Sequence, residues 1–296
     1  MLRVLIIGAG DVARRILPLL VSRCRVYALL RDAGKASWWR DQGARPLIAD
    51  LDQAASLHRI GGILRTVRWV IYLAPPGEST RPIDPRLQRL LALRPCQQGR
   101  SSLTQRWVYI STTGVYGDLA GNWADETQPC APVTGRGRRR VDAERQLRRH
   151  CVRPSVLRVP GIYAADRLPV GRLQTGTPVL RREDDVFTSH IHADDLARIV
   201  VAALRRGRPN RVYHAVDDSA MRMGDYFDAV ADRFNLPRPP RVTRDAALRE
   251  ISPALLSFMS ESRRLRNRRL KNELQVVLRY PTVADGLCAD GVALKQ

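Results

Sequence analysis

A glycine-rich turn near the start of this 296-residue chain constrains its fold more than any other feature. Residues Arg3 to Ile7 form a short, β-branched apolar run, suited to a buried parallel strand. Gly8-Ala9-Gly10-Asp11-Val12-Ala13 follows. Val12, Ile16, Leu19 and Leu20 then recur at helical spacing, with Pro18 expected to kink or reshape that helix. The six residues fit G-x-G-x-x-G/A, in the strand-to-helix setting that makes the pattern a dinucleotide site. Gly8 would permit the tight turn, Gly10 would let a pyrophosphate approach the backbone, and small Ala13 would let helix and strand pack closely. Free N–H groups and the dipole at the helix start would favour phosphates, so Asp11 and Val12 are expected beside the ligand.

The rest of the first half alternates in kind. Strands are expected at Val26–Leu30, at Leu47–Ala49 ending in Asp50, and at Val70–Ala74 ending in Pro75-Pro76. Further strands are expected at Trp107–Ile110 ending in Ser111-Thr112-Thr113, at Val156–Val159 ending in Pro160-Gly161, and at Arg211–Val216. Helix-compatible stretches separate them, and Asp194–Leu204 reads as a helix. Such alternation implies βαβ units, right-handed crossovers and a doubly wound parallel sheet of the Rossmann type.

The end of the second strand bears on cofactor choice. An acidic residue there would hydrogen-bond a ribose 2′-hydroxyl and favour NAD. The strand ends Leu29-Leu30-Arg31-Asp32, and Arg31 falls where a guanidinium could hold a 2′-phosphate. NADP is therefore the expected cofactor, with Asp32 keeping NAD open.

Net charge of +21 raises the question of nucleic acid. Only three of the 50 basic residues are lysine, a bias that a GC-rich coding sequence produces without any binding role. No aromatic residue interleaves with the dense runs Arg136–Arg140 and Arg263–Lys271, so a stacking platform for single strands is missing. No specific nucleic-acid partner is expected. No apolar run reaches the roughly 20 residues of a membrane span. Five cysteines, at 24, 96, 130, 151 and 288, include no CxxC pair and read as reduced thiols. The expected location is the cytoplasm, with no membrane association.

The motifs, taken in order, resemble those of the extended short-chain dehydrogenase/reductases, the NAD(P)-dependent epimerase/dehydratase group, and of its atypical bacterial members most closely. They are GAGDVA (8–13), ADLD (49–52), LAPP (73–76), VYISTTGVYG (108–117), DETQPCAP (125–132), LRVPGIY (157–163), HIHADDLA (190–197), VYHAVDD (212–218) and RRLRNRRLKNEL (263–274). Together they span essentially the whole chain. The resemblance implies an α/β fold with a Rossmann domain at 1–163 and 190–217, and a smaller C-terminal α/β substrate region at 164–189 and 218–296. It places Asp50 and Leu51 by the adenine, Ala74 and Pro75 along the cofactor, and Pro160 and Gly161 near the nicotinamide. A small-molecule substrate is implied, and a homodimer is compatible with it. His190 and His192 read as structural, since two histidines do not complete a metal site; no metal is expected.

Active members of that family use a Ser or Thr, a Tyr and a Lys. Thr112 matches the hydroxyl position. Counting back from Glu144 puts Arg140 at the lysine position and Arg136 at the tyrosine position, and no tyrosine occurs between Tyr116 and Tyr163. Arg140 could still hold ribose or phosphate, but a guanidinium does not serve as an acid/base at neutral pH. Three readings stay open. One is an enzyme acting on a small carbonyl, alcohol or sugar-like substrate with another acid/base, for which Tyr116, Tyr163 and Asp118 are candidates. The second is a non-catalytic NAD(P)-binding redox sensor or regulator. The third, given the least weight, is a nucleic-acid or anionic-ligand binder on a borrowed fold.

Overall fold

The computed structural model describes residues 1–93, 105–150, 154–257 and 259–289. Seven strands make its central sheet: β1 (Leu2–Ile7), β2 (Cys24–Leu30), β3 (Arg45–Ile48), β4 (Trp69–Tyr72), β5 (Arg106–Thr112), β6 (Ser155–Val159) and β7 (Val212–His214). Their spatial order is β7-β6-β5-β4-β1-β2-β3, and every neighbouring pair runs parallel. The chain thus winds outward from β1 in one direction, then crosses to β4 and winds in the other. Ligands of such sheets bind at the carboxyl ends beside this switch.

Period-two geometry explains the unbroken apolar run of β1. Val4 and Ile6 enter one core and Leu5 and Ile7 the opposite one, all fully buried. The first core takes Ala13 and Ile16 from the Asp11–Ile16 helix, and Leu196, Ile199 and Val200 from the Ala193–Arg206 helix. The second takes Ile60 and Leu64 from His58–Thr66, Leu87 and Leu90 from Pro85–Ala92, and Ala143 and Leu147 from Gly135–Arg149. A smaller core joins Tyr163, Leu173, Tyr226, Phe227, Val230, Val283 and Leu287 beyond the sheet.

Several boundaries differ from those expected. The first helix stops at Ile16 and tightens into a 3₁₀ turn, Leu17–Leu19, around Pro18. β4 ends at Tyr72, where Leu73 still donates to Ile7 O before Pro75 and Pro76 remove two N–H groups from any ladder. Glu261–Leu274 divides into strand Arg264–Leu265, paired with Trp123–Ala124, and helix Arg268–Asn272. Asn267 sits between them. Its Nδ2 donates to Val216 O at 3.1 Å and to Asp218 Oδ1 at 2.8 Å, which turns the segment toward β7 and buries Leu270 and Leu274 in the first core.

Cys24, Cys130 and Cys288 are free thiols; Cys96 and Cys151 lie outside the described residues. Among the described residues no helix is long and apolar enough to cross a membrane.

One buried carboxyl leaves a testable mark on stability. Asp217 is only 3% exposed; its Oδ1 accepts from Ser219 N at 3.0 Å and its Oδ2 has no partner among the described residues. Burial pushes its pKa up to about 8, partly offset by the Ser219 N–H and reinforced by Asp218. A folded-state pKa above the unfolded one gives stability that is complete below the unfolded value near 3.8 and is lost as pH rises through about 8. Asp217→Asn, which cannot ionise, is expected to stabilise the fold at pH 8.5 by on the order of 2 kcal/mol, seen as a higher melting temperature. At pH 4.5 it should do little. An equal gain at both pH values in thermal melts would contradict this assignment.

Candidate functional site

Three hollows follow one another along the carboxyl edge of the sheet. The first, about 360 Å³, lies over the ends of β1, β2 and β3. The second, about 280 Å³, lies between the glycine turn and the ends of β5 and β6. The third, about 430 Å³, opens between the sheet and the smaller core. The first two share Gly8, Gly10 and Pro75 as walls; the second and third share Thr112, Arg136 and Pro160.

Gly8 and Gly10 do different work in the glycine turn. Gly8 has φ +92°, and a Cβ there would lie 2.6 Å from Ala74 N. Only glycine lets β1 end against β4 this closely. Gly10 has an ordinary extended backbone and nothing within 4 Å of a Cβ. Its missing side chain leaves open space above the first helical turn, whose N–H groups no side chain caps. Asp11 and Val12 border the second hollow. Burial raises the Asp11 pKa, but hydrogen bonds from Arg167 at 2.8 Å and Arg15 at 3.2 Å outweigh it and hold the carboxyl below its usual range.

Arg31, Asp50, Leu51, Ala74 and Pro75 all line the first hollow, as expected of neighbours around one ligand. Asp32 also lines it, but its Oδ1 accepts from Gly34 N at 2.9 Å and so caps the Ala33–Lys35 turn. That turn brings in Lys35, which faces Asp32 at 3.6 Å. Sequence reasoning missed Lys35, although a lysine four residues after Arg31 was a usable signal in a chain with so few. Asp50 Oδ1 accepts from Asp52 N at 2.9 Å, shaping the turn after β3.

Thr112 ends β5. Its Oγ1 accepts from Gly114 N at 3.3 Å, and its hydroxyl proton has no acceptor among the described residues. Arg140 is 5% exposed. Its Nη1 donates to Ile110 O at 2.7 Å, Tyr109 OH at 3.0 Å and Ala74 O at 3.3 Å. Arg140 therefore ties the ends of β4 and β5 together while bordering the second hollow. Arg136 lies one turn earlier, at the start of the Gly135–Arg149 helix, and lines both the second and third hollows. Gly137 makes this approach possible, since a Cβ there would lie 2.9 Å from Gly114 O. The helix start thus packs on the turn after Thr112. Pro160 and Gly161 line the third hollow, and Pro160 also lines the second.

The alternative acid/base candidates are committed elsewhere. Tyr116 is fully buried, with its hydroxyl at 2.5 Å from His214 Nε2 and accepting from Arg158 at 2.7 Å. Burial raises its pKa despite Arg158. Tyr163 donates to Thr282 O at 3.1 Å, and Asp118 Oδ1 accepts from Ala120 N and Ser262 N. His190 stacks on Tyr226 with centroids 4.2 Å apart, while His192 Nδ1 accepts from Asp194 N and caps the Ala193–Arg206 helix. Among the described residues no group of three or more His, Cys, Asp or Glu could hold a metal ion.

Four side chains of the third hollow escaped the sequence reading: Arg172, Tyr226, Glu261 and Arg263. Arg172 lies over the Phe227 ring at 4.4 Å. Arg263 pairs with Glu261 at 2.6 Å. They come from separate segments, and no spacing in the chain connects them to Thr112.

Residues 98–278 match the family described as RmlD substrate binding domain. The chain is an extended short-chain dehydrogenase/reductase of that family. A functionally unknown conserved protein from Silicibacter pomeroyi has a similar structure, at 30% identity over 98% of each chain, with a TM-score of 0.78. UDP-glucose 4-epimerase from Thermotoga maritima, solved with UDP-glucose, is similar at 16% identity over 97% of this chain and 96% of its own, with a TM-score of 0.74. UDP-glucuronic acid 4-epimerase from Bacillus cereus, solved with UDP-glucuronic acid and NAD, gives 16% identity, 98% coverage of each chain and a TM-score of 0.75. No curated protein matched the sequence. At such low identity the two epimerases show a shared fold. The chain shares that fold, and its Arg136 and Arg167 line both the second and the third hollow.

Proposed function

We propose that the chain binds NADP(H) along the first two hollows and acts on a small carbonyl, alcohol or sugar-like substrate in the third. The observation that carries this reading is the shared walls, which leave one continuous path from Arg31 through Gly8 and Gly10 to Thr112. The residues fit such a group: Gly10 leaves space for a pyrophosphate, and the first helical turn offers unshared N–H donors. When bound, the nicotinamide supplies or accepts a hydride. Arg31 and Lys35 at the far end favour a 2′-phosphate, so NADP is preferred here although the Bacillus cereus epimerase was solved with NAD. Pro160 and Gly161 border the nicotinamide, Thr112 orients the substrate oxygen, and Arg140 holds the two strand ends that form the cofactor floor. Residues 164–189 and 218–296 make the substrate region.

Calorimetric titration of the purified chain with NADPH, with NADH in parallel, tests the reading. NADPH is expected to bind at least about 100-fold more tightly than NADH. Failure of both to bind would refute a dinucleotide site.

A second reading is favoured by the commitments of Tyr116, Tyr163 and Asp118 to other partners, and by the pairing of Glu261, the carboxylate of the third hollow, with Arg263. The chain would then be a non-catalytic redox sensor, whose NADPH-bound and free forms differ in shape. It predicts NADPH-dependent protease sensitivity without turnover. An identical digestion pattern with and without NADPH counts against it.

A further inference from the structure

The boundary between the second and third hollows holds two side chains with hydrogen-bonding capacity to spare. Thr112 has its hydroxyl proton, and Arg136 has its guanidinium fork. Arg167, also on this boundary, is taken up by Asp11.

Arg136 is electrostatically misplaced as the fold stands. It sits in the first turn of a 15-residue helix, where the exposed N–H groups favour anions and no acidic residue is present. Arg139 and Arg140 follow three and four residues later on the same face. Arg136 is exposed, so of the desolvation and the Arg140 and Arg139 repulsion that lower its pKa, the repulsion is what crowds it. Arg172, in the same hollow, has buried Nε and Nη2 atoms without partners, and burial lowers its pKa too. His190 is 5% exposed and lines the hollow with a buried, unpartnered Nδ1. Against Arg136, Arg167, Arg172 and Arg263, Glu261 is the one carboxylate among the lining residues. Unpaired, partly desolvated cations are costly, and a bound anion relieves that cost.

We propose that the third hollow takes a small 2-oxo or 2-hydroxy acid, with its carboxylate on the Arg136 fork and its C2 oxygen on the Thr112 hydroxyl. This rests on the reading above, which puts the nicotinamide at the same boundary. A planar guanidinium grips a carboxylate by two parallel hydrogen bonds, which fixes the neighbouring carbon. Arg136 and Thr112 both line the second and third hollows, so one small substrate can meet both side chains. Arg172 serves a second polar group farther from the nicotinamide.

The test is calorimetry of the full chain with oxalate, a planar diacid with the spacing of a 2-oxo acid, in the presence and absence of NADPH. Phosphate and UDP-glucose are titrated in parallel. Oxalate should bind and raise the melting temperature. Arg136→Gln should weaken oxalate by about tenfold or more, and by a clearly larger factor than it weakens NADPH. At low salt, and without any anion, the same variant should melt higher than its parent, because repulsion is relieved. That last readout separates a lost ligand from a lost fold. Equal oxalate binding by parent and variant would overturn the proposal. So would tighter, Arg136-dependent binding of phosphate or UDP-glucose, or an equal loss of NADPH, which would make Arg136 a cofactor residue. NADPH binding with oxalate silent sinks this inference alone, whereas absence of NADPH binding sinks the reading beneath it.

Discussion

Gly10→Val is expected to fold like the parent and to bind NADPH at least about 100-fold more weakly. A Cβ at Gly10 meets nothing within 4 Å, and the residue's φ of −94° suits any side chain. The valine would instead occupy the space proposed for the pyrophosphate, at a steric cost of roughly 3 kcal/mol. Gly8→Ala should do the opposite kind of damage. Its φ of +92° and a Cβ 2.6 Å from Ala74 N combine backbone strain with a clash against β4. The expected loss is roughly 3 kcal/mol of folding stability, seen directly as a lower melting temperature. Thermal melts and NADPH titrations of the two variants separate these effects. Gly10→Val with parental NADPH affinity would remove the glycine turn from the cofactor site.

Arg31→Ala is expected to weaken NADPH by roughly 10- to 100-fold, the range of a charge-assisted contact to phosphate. NADH should lose no more than about threefold. Lys35 lines the same hollow and should retain part of the preference, so the Arg31→Ala, Lys35→Ala pair should make the two cofactors nearly equal. Salt should narrow the NADPH advantage of the parent, since both cations are exposed. Equal losses of NADPH and NADH on removing Arg31 would exclude it as the 2′-phosphate clamp.

The local features of the chain were legible because short-range physics governs them. Alternating burial on two faces produced the apolar run of β1, and a positive φ with a close backbone contact required Gly8. Strand after strand followed the same grammar, so the parallel α/β class could be read before any coordinates. Residues at the ends of those strands, from Gly8 to Gly161, lie along one edge, because a doubly wound sheet gathers its strand ends by construction.

What a polar side chain does once it arrives there was a different matter. Asp32 caps a turn while it lines the first hollow, Arg140 is spent on two carbonyls and a tyrosine hydroxyl, and Tyr116 is buried against His214 and Arg158. Each outcome depends on partners supplied by distant segments. Glu261–Leu274 broke where Asn267 found acceptors on Val216 and Asp218, a contact no periodicity encodes. Arg172, Tyr226, Glu261 and Arg263 converge on Thr112 only through packing of the smaller core onto the sheet. The sequence by itself determined the sheet, its glycine turn and the residues at its carboxyl edge, since these follow from backbone geometry and burial within a few residues. Tertiary structure alone decided which charges found partners and which, like Arg136, came to line a hollow, because hydrogen bonding and desolvation depend on neighbours in space.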